Sequence, residues 1–207
     1  MKKLQGIYAI TDEKLTPQSS ILDQVTEAIK AGANIIQLRD KTSSDEELEN
    51  TARKLQEICT THEALFFVND RVDLAKKIGA DGIHVGFSDL SVSETRKIVG
   101  DKMLIGVSCY GDLNRAETAV NQGVDYVAFG AFFPSPTKPK ADVVDAKVIS
   151  QAKKQFDVPV CVIGGINVDN ISQLTTHNPD MYALVSAVFS VKDITANVHK
   201  LQEKLNQ

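Results

Sequence analysis

The stretch Ile21-Leu22-Asp23-Gln24-Val25-Thr26-Glu27-Ala28-Ile29-Lys30-Ala31-Gly32-Ala33-Asn34-Ile35-Ile36-Gln37-Leu38-Arg39-Asp40-Lys41 carries one whole structural unit. Ile21, Leu22, Val25, Ala28 and Ile29 fall at the spacing of a single helix face. Gly32 ends that helix, because glycine takes the left-handed conformation that caps a C-terminus. An apolar run follows almost at once, from Asn34 to Leu38, too short for a second helix. Strand alternation then puts Gln37, Arg39 and Lys41 on one side. The order predicts a helix, a short join, a buried strand and polar chemistry at the strand's end.

Outward from this unit the pattern repeats. Apolar runs lie at Gly6 to Ile10, Asn34 to Leu38, Leu65 to Val68, Gly82 to Val85, Met103 to Val107, Val124 to Phe129, Val158 to Ile163 and Tyr182 to Val185. Several show little alternation, as expected of strands covered on both faces. Leu48, Ala52, Leu55 and Ile58 mark a helix face, preceded by Ser44 and Glu47 at capping-box spacing. Val198, Leu201 and Leu205 mark another at the end of the chain. The joins Ala31-Gly32-Ala33-Asn34, Gly79-Ala80-Asp81-Gly82 and Gln122-Gly123-Val124-Asp125 share one form. Strict alternation with short joins implies a parallel sheet. An open, doubly wound sheet would give the same local signals. Eight units in 207 residues, about 26 each, and no GxGxxG turn after the first run favour an α/β (β/α)8 TIM barrel, one domain over residues 1–207.

Hydrophobic residues make up 43% of the chain and charged residues 24%. That balance excludes a disordered chain, a collagen-like repeat and a small disulfide scaffold. No apolar run approaches the roughly 18 residues needed to span a bilayer, and no leader-like apolar segment follows Met1-Lys2-Lys3-Leu4-Gln5-Gly6. No membrane partner is expected. Cys59, Cys109 and Cys161 are odd in number and form no CxxC pair, so they read as reduced thiols in a cytoplasmic protein. A net charge of −4 argues against nucleic acid as a partner but not against a local anion pocket. Self-association into a homo-oligomer is compatible with this composition.

In such a barrel the site lies where strands end and helices begin. Gln37, Arg39 and Lys41 offer an amide and two cations there, suited to a polyphosphate or carboxylate. Each alone could equally be a solvated strand end. Asn69-Asp70-Arg71 follows the third run and Gly86-Phe87-Ser88-Asp89 the fourth. Asp70 and Asp89 could each simply cap the next helix, the commoner task for a lone aspartate. Adjacent strand ends also allow two carboxylates to share one Mg²⁺, completed by water and substrate phosphate. Ser108 follows the fifth run. The proline-rich Pro134-Ser135-Pro136-Thr137-Lys138-Pro139 segment reads as a stiff polar loop over the mouth, or as a long connection. Gly164-Gly165-Ile166-Asn167 and Val185-Ser186-Ala187 end the last two strands, where barrels frequently bind phosphate. A tight turn would also explain the glycines. A phosphate site on one side and a metal-diphosphate site on the other imply two phosphorylated, small-molecule substrates.

Taken in register, these motifs resemble the thiamine-phosphate synthase (thiamine-phosphate pyrophosphorylase) family. The resemblance rests on Tyr8-Ala9-Ile10-Thr11-Asp12, Gln37-Leu38-Arg39-Asp40-Lys41, Asn69 to Ala75, Gly79 to Gly86, Ile105-Gly106-Val107-Ser108, the Pro134 to Lys138 loop, Gly164-Gly165-Ile166 and Val185-Ser186-Ala187. It implies a transferase joining a phosphorylated pyrimidine to a phosphorylated thiazole. The pyrimidine C–O bond breaks first, and the thiazole nitrogen captures the resulting cation. It also implies Mg²⁺ held by Asp70 and Asp89, and a diphosphate grip of Arg39, Lys41, Asn69 and Lys138. Gln37 and Ser108 would orient the aminopyrimidine. Ser135, Thr137, Gly165, Val185 and Ser186 would bind the thiazole phosphate. Arg39, Lys41, Ser108 and Lys138 carry the catalytic assignment.

The chain departs from the family pattern at Phe87, usually polar; at Tyr110, usually histidine; and at Ser135, often threonine. Cys109, with no histidine placed to activate it, reads as a packing residue. His84 lies inside the fourth run and is expected to pack there. A thiazole tautomerase on the same fold would need neither the cationic triplet nor the aspartate pair. A non-catalytic phosphate sensor could lose Asp70 or Lys138, and a phosphosugar isomerase would want a carboxylate base beside a catalytic His or Lys.

Overall fold

Each apolar run becomes a strand, and the strands close on themselves in chain order. The computed structural model describes residues 3–86, 89–134 and 142–206. Its strands are β1 (Gly6–Ile10), β2 (Ile35–Leu38), β3 (Leu65–Asn69), β4 (Gly82–Val85), β5 (Leu104–Tyr110), β6 (Tyr126–Phe129), β7 (Val160–Ile163) and β8 (Met181–Leu184). All neighbours pair in parallel, and β1 pairs with β8 through Gly6↔Met181 to Ala9↔Leu184. That last ladder decides for the barrel against an open sheet.

The helices are α1 (Ile21–Lys30), α2 (Asp45–Thr61), α3 (Val72–Ile78), α4 (Val92–Val99), α5 (Leu113–Asn121), α6 (Lys147–Gln155), α7 (Ser172–Thr175), α8 (Ser186–Phe189) and α9 (Ile194–Leu205). Ser44 and Glu47 form the expected capping box on α2, and Ser91 with Glu94 forms a second on α4. Among the described residues no helix is long and apolar enough to cross a membrane.

Strand alternation sorts side chains into two cores. One lies between strands and helices and includes Ile36, Val68, Leu55 and Leu201. The other fills the barrel and holds Tyr8, Ile10, Ile35, Phe67, Tyr126 and Met181. Large rings there face glycines on the neighbouring strand. A Cβ on Gly82 would lie 2.2 Å from the Phe67 ring, and one on Gly106 would lie 2.0 Å from that of Tyr126. Large against small is how a barrel interior reaches close packing.

The joins explain the floor of the barrel. Asn34, Asp81, Asp125 and Asp180 each stand just before an even-numbered strand. Each side chain accepts the N–H of a residue on the odd-numbered strand beside it: Ile7 at 3.1 Å, Phe66 at 2.9 Å, Ile105 at 2.7 Å and Val160 at 2.7 Å. One device, used four times, satisfies the strand amides that the ladder leaves open. It also accounts for the Asn or Asp found in each of the three joins noted in the sequence.

Two expectations change. The fifth strand runs on to Tyr110, so Ser108 lies within it rather than after it. Pairing with β6 slips between Ser108 and Tyr110, an irregularity of the β-bulge kind. The sixth and seventh strands begin two residues later than their apolar runs, because Val124 and Val158 belong to the joins.

Candidate active site

The C-terminal ends of the strands gather most of the polar residues singled out from sequence. Gln37, the penultimate residue of β2, is buried inside the barrel. Arg39 follows the strand, its backbone N–H bonded to Thr11 Oγ1 at 2.9 Å and its guanidinium 3.9 Å from Glu13. Lys41 reaches across to β3, its Nζ 3.6 Å from Asp70. Asp40 organises the turn instead of facing the mouth. Its Oδ1 accepts the amides of Thr42 and Ser43 at 2.7 and 2.9 Å. Burial pushes its carboxyl up, but those bonds and the two hydroxyls together outweigh it and hold the group down at about 2. Arg71 ties the same turn to β3 by donating to the carbonyls of Asp40 and Ser43.

Neither aspartate of the inferred metal pair spends its carboxylate on a helix cap. The N-cap of α3 is Arg71 and that of α4 is Ser91. Asp70 adopts a left-handed backbone, φ 60°, with its N–H donating to the His84 carbonyl at 2.9 Å. Burial pushes the Asp70 carboxyl above the usual range, and the Asp89 carboxylate facing it pushes further, while Lys41 and the Asn69 side chain pull it back. Asp89 Oδ2 accepts the Gly86 N–H at 2.7 Å, which folds its carboxylate toward the β4 end. Two carboxylates that repel one another at adjoining strand ends fit a divalent cation. Among the described residues no group of three or more His, Cys, Asp or Glu converges. The residues that could hold such a cation are Asp70 and Asp89, oxygen donors of the kind Mg²⁺ takes alongside water and phosphate.

Ser108 faces inward from β5 and bonds to His84 Nε2 at 2.9 Å. His84 does not merely pack in its strand. Its Nδ1 lies 2.8 Å from the Tyr126 hydroxyl, and its ring stacks on that of Tyr126. Tyr126 meets Tyr8 at 3.1 Å, and Gln37 Nε2 donates to Tyr8 at 2.6 Å. Tyr8, His84 and Tyr126 were not singled out from sequence as partners of Gln37 and Ser108. The available signal was a polar group on each of three otherwise apolar strands, which alternation alone cannot assign to a network.

On the opposite rim, Gly165 has φ 64°, and a Cβ there would lie 2.5 Å from the Phe133 and Pro134 carbonyls. The turn therefore packs directly on the chain leaving β6. Val185 precedes α8, and Ser186 opens it; the Val188 N–H bonds back to the Val185 carbonyl at 3.1 Å. The amides of Ser186 and Ala187 come before that inward bond, where a helix start presents N–H groups. Tyr110 is exposed, with the Arg115 guanidinium 5.2 Å from its ring centre. Cys109 is buried, which pushes its thiol up to about 12 and leaves it unreactive. Phe87, Ser135, Thr137 and Lys138 lie outside the described residues.

Comparison with known proteins places this arrangement among relatives. The profile of the thiamine monophosphate synthase family matches residues 7–188. A thiamine-phosphate synthase of Alcanivorax borkumensis is 41% identical over 196 residues, 95% of this chain and 90% of that protein. One from Wolinella succinogenes is 43% identical over 190 residues, 91% of this chain and 87% of that protein. The solved thiamine phosphate pyrophosphorylase of Pyrococcus furiosus superposes with a TM-score of 0.89 at 31% identity, covering 99% of this chain and 97% of that one. A 3-hexulose-6-phosphate synthase, TM-score 0.69 at 15% identity, shares the fold alone.

Proposed function

The chain belongs to the thiamine monophosphate synthase family, and from that premise we propose that it makes thiamine phosphate. The substrates are 4-amino-5-hydroxymethyl-2-methylpyrimidine diphosphate and 4-methyl-5-(2-phosphooxyethyl)thiazole. The observation that carries the proposal is the cationic end of β2 set against the carboxylate pair, with Lys41 Nζ 3.6 Å from Asp70. A phosphosugar isomerase has no use for that arrangement.

The pyrimidine methylene C–O bond breaks, and its electron pair leaves with diphosphate. The thiazole nitrogen then supplies the pair for the new C–N bond. Such chemistry asks little of a general base; it needs positive charge at the leaving group, a held ring and exclusion of water. Arg39, Lys41, Asn69 and Lys138 hold the diphosphate, Arg39 through a fork and the lysines as point charges. Asp70 and Asp89 would hold Mg²⁺, which would supply further positive charge beside the diphosphate. Gln37 and Ser108 fix the pyrimidine. Ser135, Thr137, Gly165, Val185 and Ser186 hold the thiazole phosphate through hydroxyls and backbone amides.

The test is direct. Purified protein is incubated with both substrates and Mg²⁺, and thiamine phosphate is followed by oxidation to fluorescent thiochrome. Product that disappears with EDTA is expected. Absence of product, with the thiazole phosphate still binding in a calorimeter, would overturn the proposal in favour of a tautomerase or sensor.

A further inference from the structure

Five side chains form an unbroken line of hydrogen bonds through the barrel, from Gln37 on β2 to Ser108 on β5. The links are Gln37 Nε2 to Tyr8 Oη at 2.6 Å, Tyr8 Oη to Tyr126 Oη at 3.1 Å, Tyr126 Oη to His84 Nδ1 at 2.8 Å, and His84 Nε2 to Ser108 Oγ at 2.9 Å. Gln37, Tyr8 and Tyr126 are fully enclosed, with exposures of 2%, 1% and 0%. Both phenol rings pack on Phe67, Tyr8 tilted at 5.8 Å and Tyr126 edge-on at 5.7 Å between ring centres. Gly106 makes the room that the Tyr126 ring occupies.

The line has a direction. Gln37 donates to Tyr8, so the Tyr8 oxygen is accepting and its own hydrogen points to Tyr126. Tyr126 then accepts from Tyr8, and its single hydrogen goes to His84 Nδ1. The ring must carry its proton on Nε2 and donate to Ser108 Oγ. The Ser108 hydrogen is left for the mouth. Reversing the phenols would strand the Tyr8 hydrogen in a dry interior, where a donor without an acceptor is costly. Burial raises both phenol pKa values, so neither hydrogen is given up to solvent.

We propose that Tyr8, Tyr126 and His84 are positioning residues that set the polarity of the pyrimidine subsite, so that it selects a 4-amino ring over its 4-oxo counterpart. This rests on the function proposed above. The bond from its Nε2 to Tyr8 fixes the flip of the Gln37 amide, so the carbonyl oxygen takes the other position, as the acceptor for an exocyclic amine. Ser108 donates to an unprotonated ring nitrogen. A 4-oxo group would set an acceptor against the Gln37 acceptor, and a buried mismatch of that kind is strongly rejected. Tyr126 touches neither end of the substrate in this scheme, yet it governs both.

The test uses Tyr8→Phe and Tyr126→Phe, which keep the rings and remove the hydroxyls. The ratio of kcat/KM for the 4-amino over the 4-oxo pyrimidine diphosphate is measured in each protein. Intrinsic reactivity of the two rings cancels between wild type and variant. The ratio is expected to fall about tenfold or more in both variants, including Tyr126→Phe, two hydrogen bonds away from the Gln37 amide. In parallel, ¹⁵N NMR of labelled histidine should show His84 protonated on Nε2 in the wild type, and a mixed tautomer in Tyr126→Phe. A wild-type His84 protonated on Nδ1, or a ratio unchanged in both variants, overturns the proposal. If wild type turns over neither pyrimidine, the proposed function fails instead, and the His84 spectrum still decides the direction of the line.

Discussion

Asp70 concentrates the tension of the site. Burial and the facing Asp89 both disfavour its charged form, with Lys41 as partial relief. Its carboxyl titrates above the ordinary range, so the folded protein holds a proton that the unfolded chain has already released. Metal-free stability should therefore fall as pH rises from the normal aspartate value of about 3.9 through the raised value. Asp70→Asn removes the repulsion. Its metal-free Tm at neutral pH is expected to rise by about 2–4 °C, the shift that 1 kcal/mol produces at this size. Mg²⁺ should then add little further stability, whereas it should raise the wild-type Tm. Differential scanning fluorimetry across pH, with and without Mg²⁺, checks both signs. A lower Tm for the metal-free variant would show that the carboxylate is a net stabiliser.

At the scale of elements, the proposed reaction falls to the loops after the strands, and the strands carry those loops. The turn after β7 depends on Gly165, held at φ 64° with two carbonyls 2.5 Å from where a Cβ would stand. Gly165→Ala is expected to lower stability by roughly 1–3 kcal/mol, the range for forcing a side chain into a strained backbone. It should also raise KM for the thiazole phosphate while leaving KM for the pyrimidine diphosphate near wild type. Equal weakening of both substrates would place Gly165 outside a phosphate subsite. Across the mouth, the α3 and α4 starts show what the sequence alone left open. Asp70 and Asp89 each lay beside a helix start, and capping was the commoner explanation. The neighbouring Arg71 and Ser91 became the N-caps instead, which released both carboxylates to face one another.

In the proposed enzyme the whole molecule divides into a floor that holds it together and a mouth assigned to the reaction. Asp125 belongs to the floor, accepting the Ile105 amide and the Arg96 guanidinium, both at 2.7 Å. Asp125→Ala leaves that amide without its acceptor and takes the carboxylate from Arg96, whose guanidinium still donates to the Gly100, Met103 and Gly123 carbonyls. Stability is expected to fall by roughly 1.5–3 kcal/mol, the usual worth of a hydrogen bond to a charged group. Turnover at temperatures well below the melting transition should stay within about twofold, in keeping with the stabilising role of that barrel face. Chemical denaturation and steady-state kinetics on the same preparation separate the two effects. A large fall in kcat with stability intact would end the division of labour between floor and mouth.

The periodicity of apolar residues was enough to determine eight strand-and-helix units, because a two-sided strand and a one-sided helix leave different local spacings. The motifs at the strand ends were legible for the same reason, since each follows its own strand directly. Closure was not local. It depended on β1 finding β8, a pairing between residues at opposite ends of the chain. The line from Gln37 to Ser108 was equally hidden, because Tyr8, His84 and Tyr126 are separated by long stretches of sequence and meet only inside the closed barrel. Ser108 itself was expected beyond its strand and lies within it, since a slip in pairing with β6 is a property of two strands and not of one. What neighbouring residues impose on each other could be read from the order of amino acids. What distant strands impose on each other was decided only when the barrel brought their side chains into one interior.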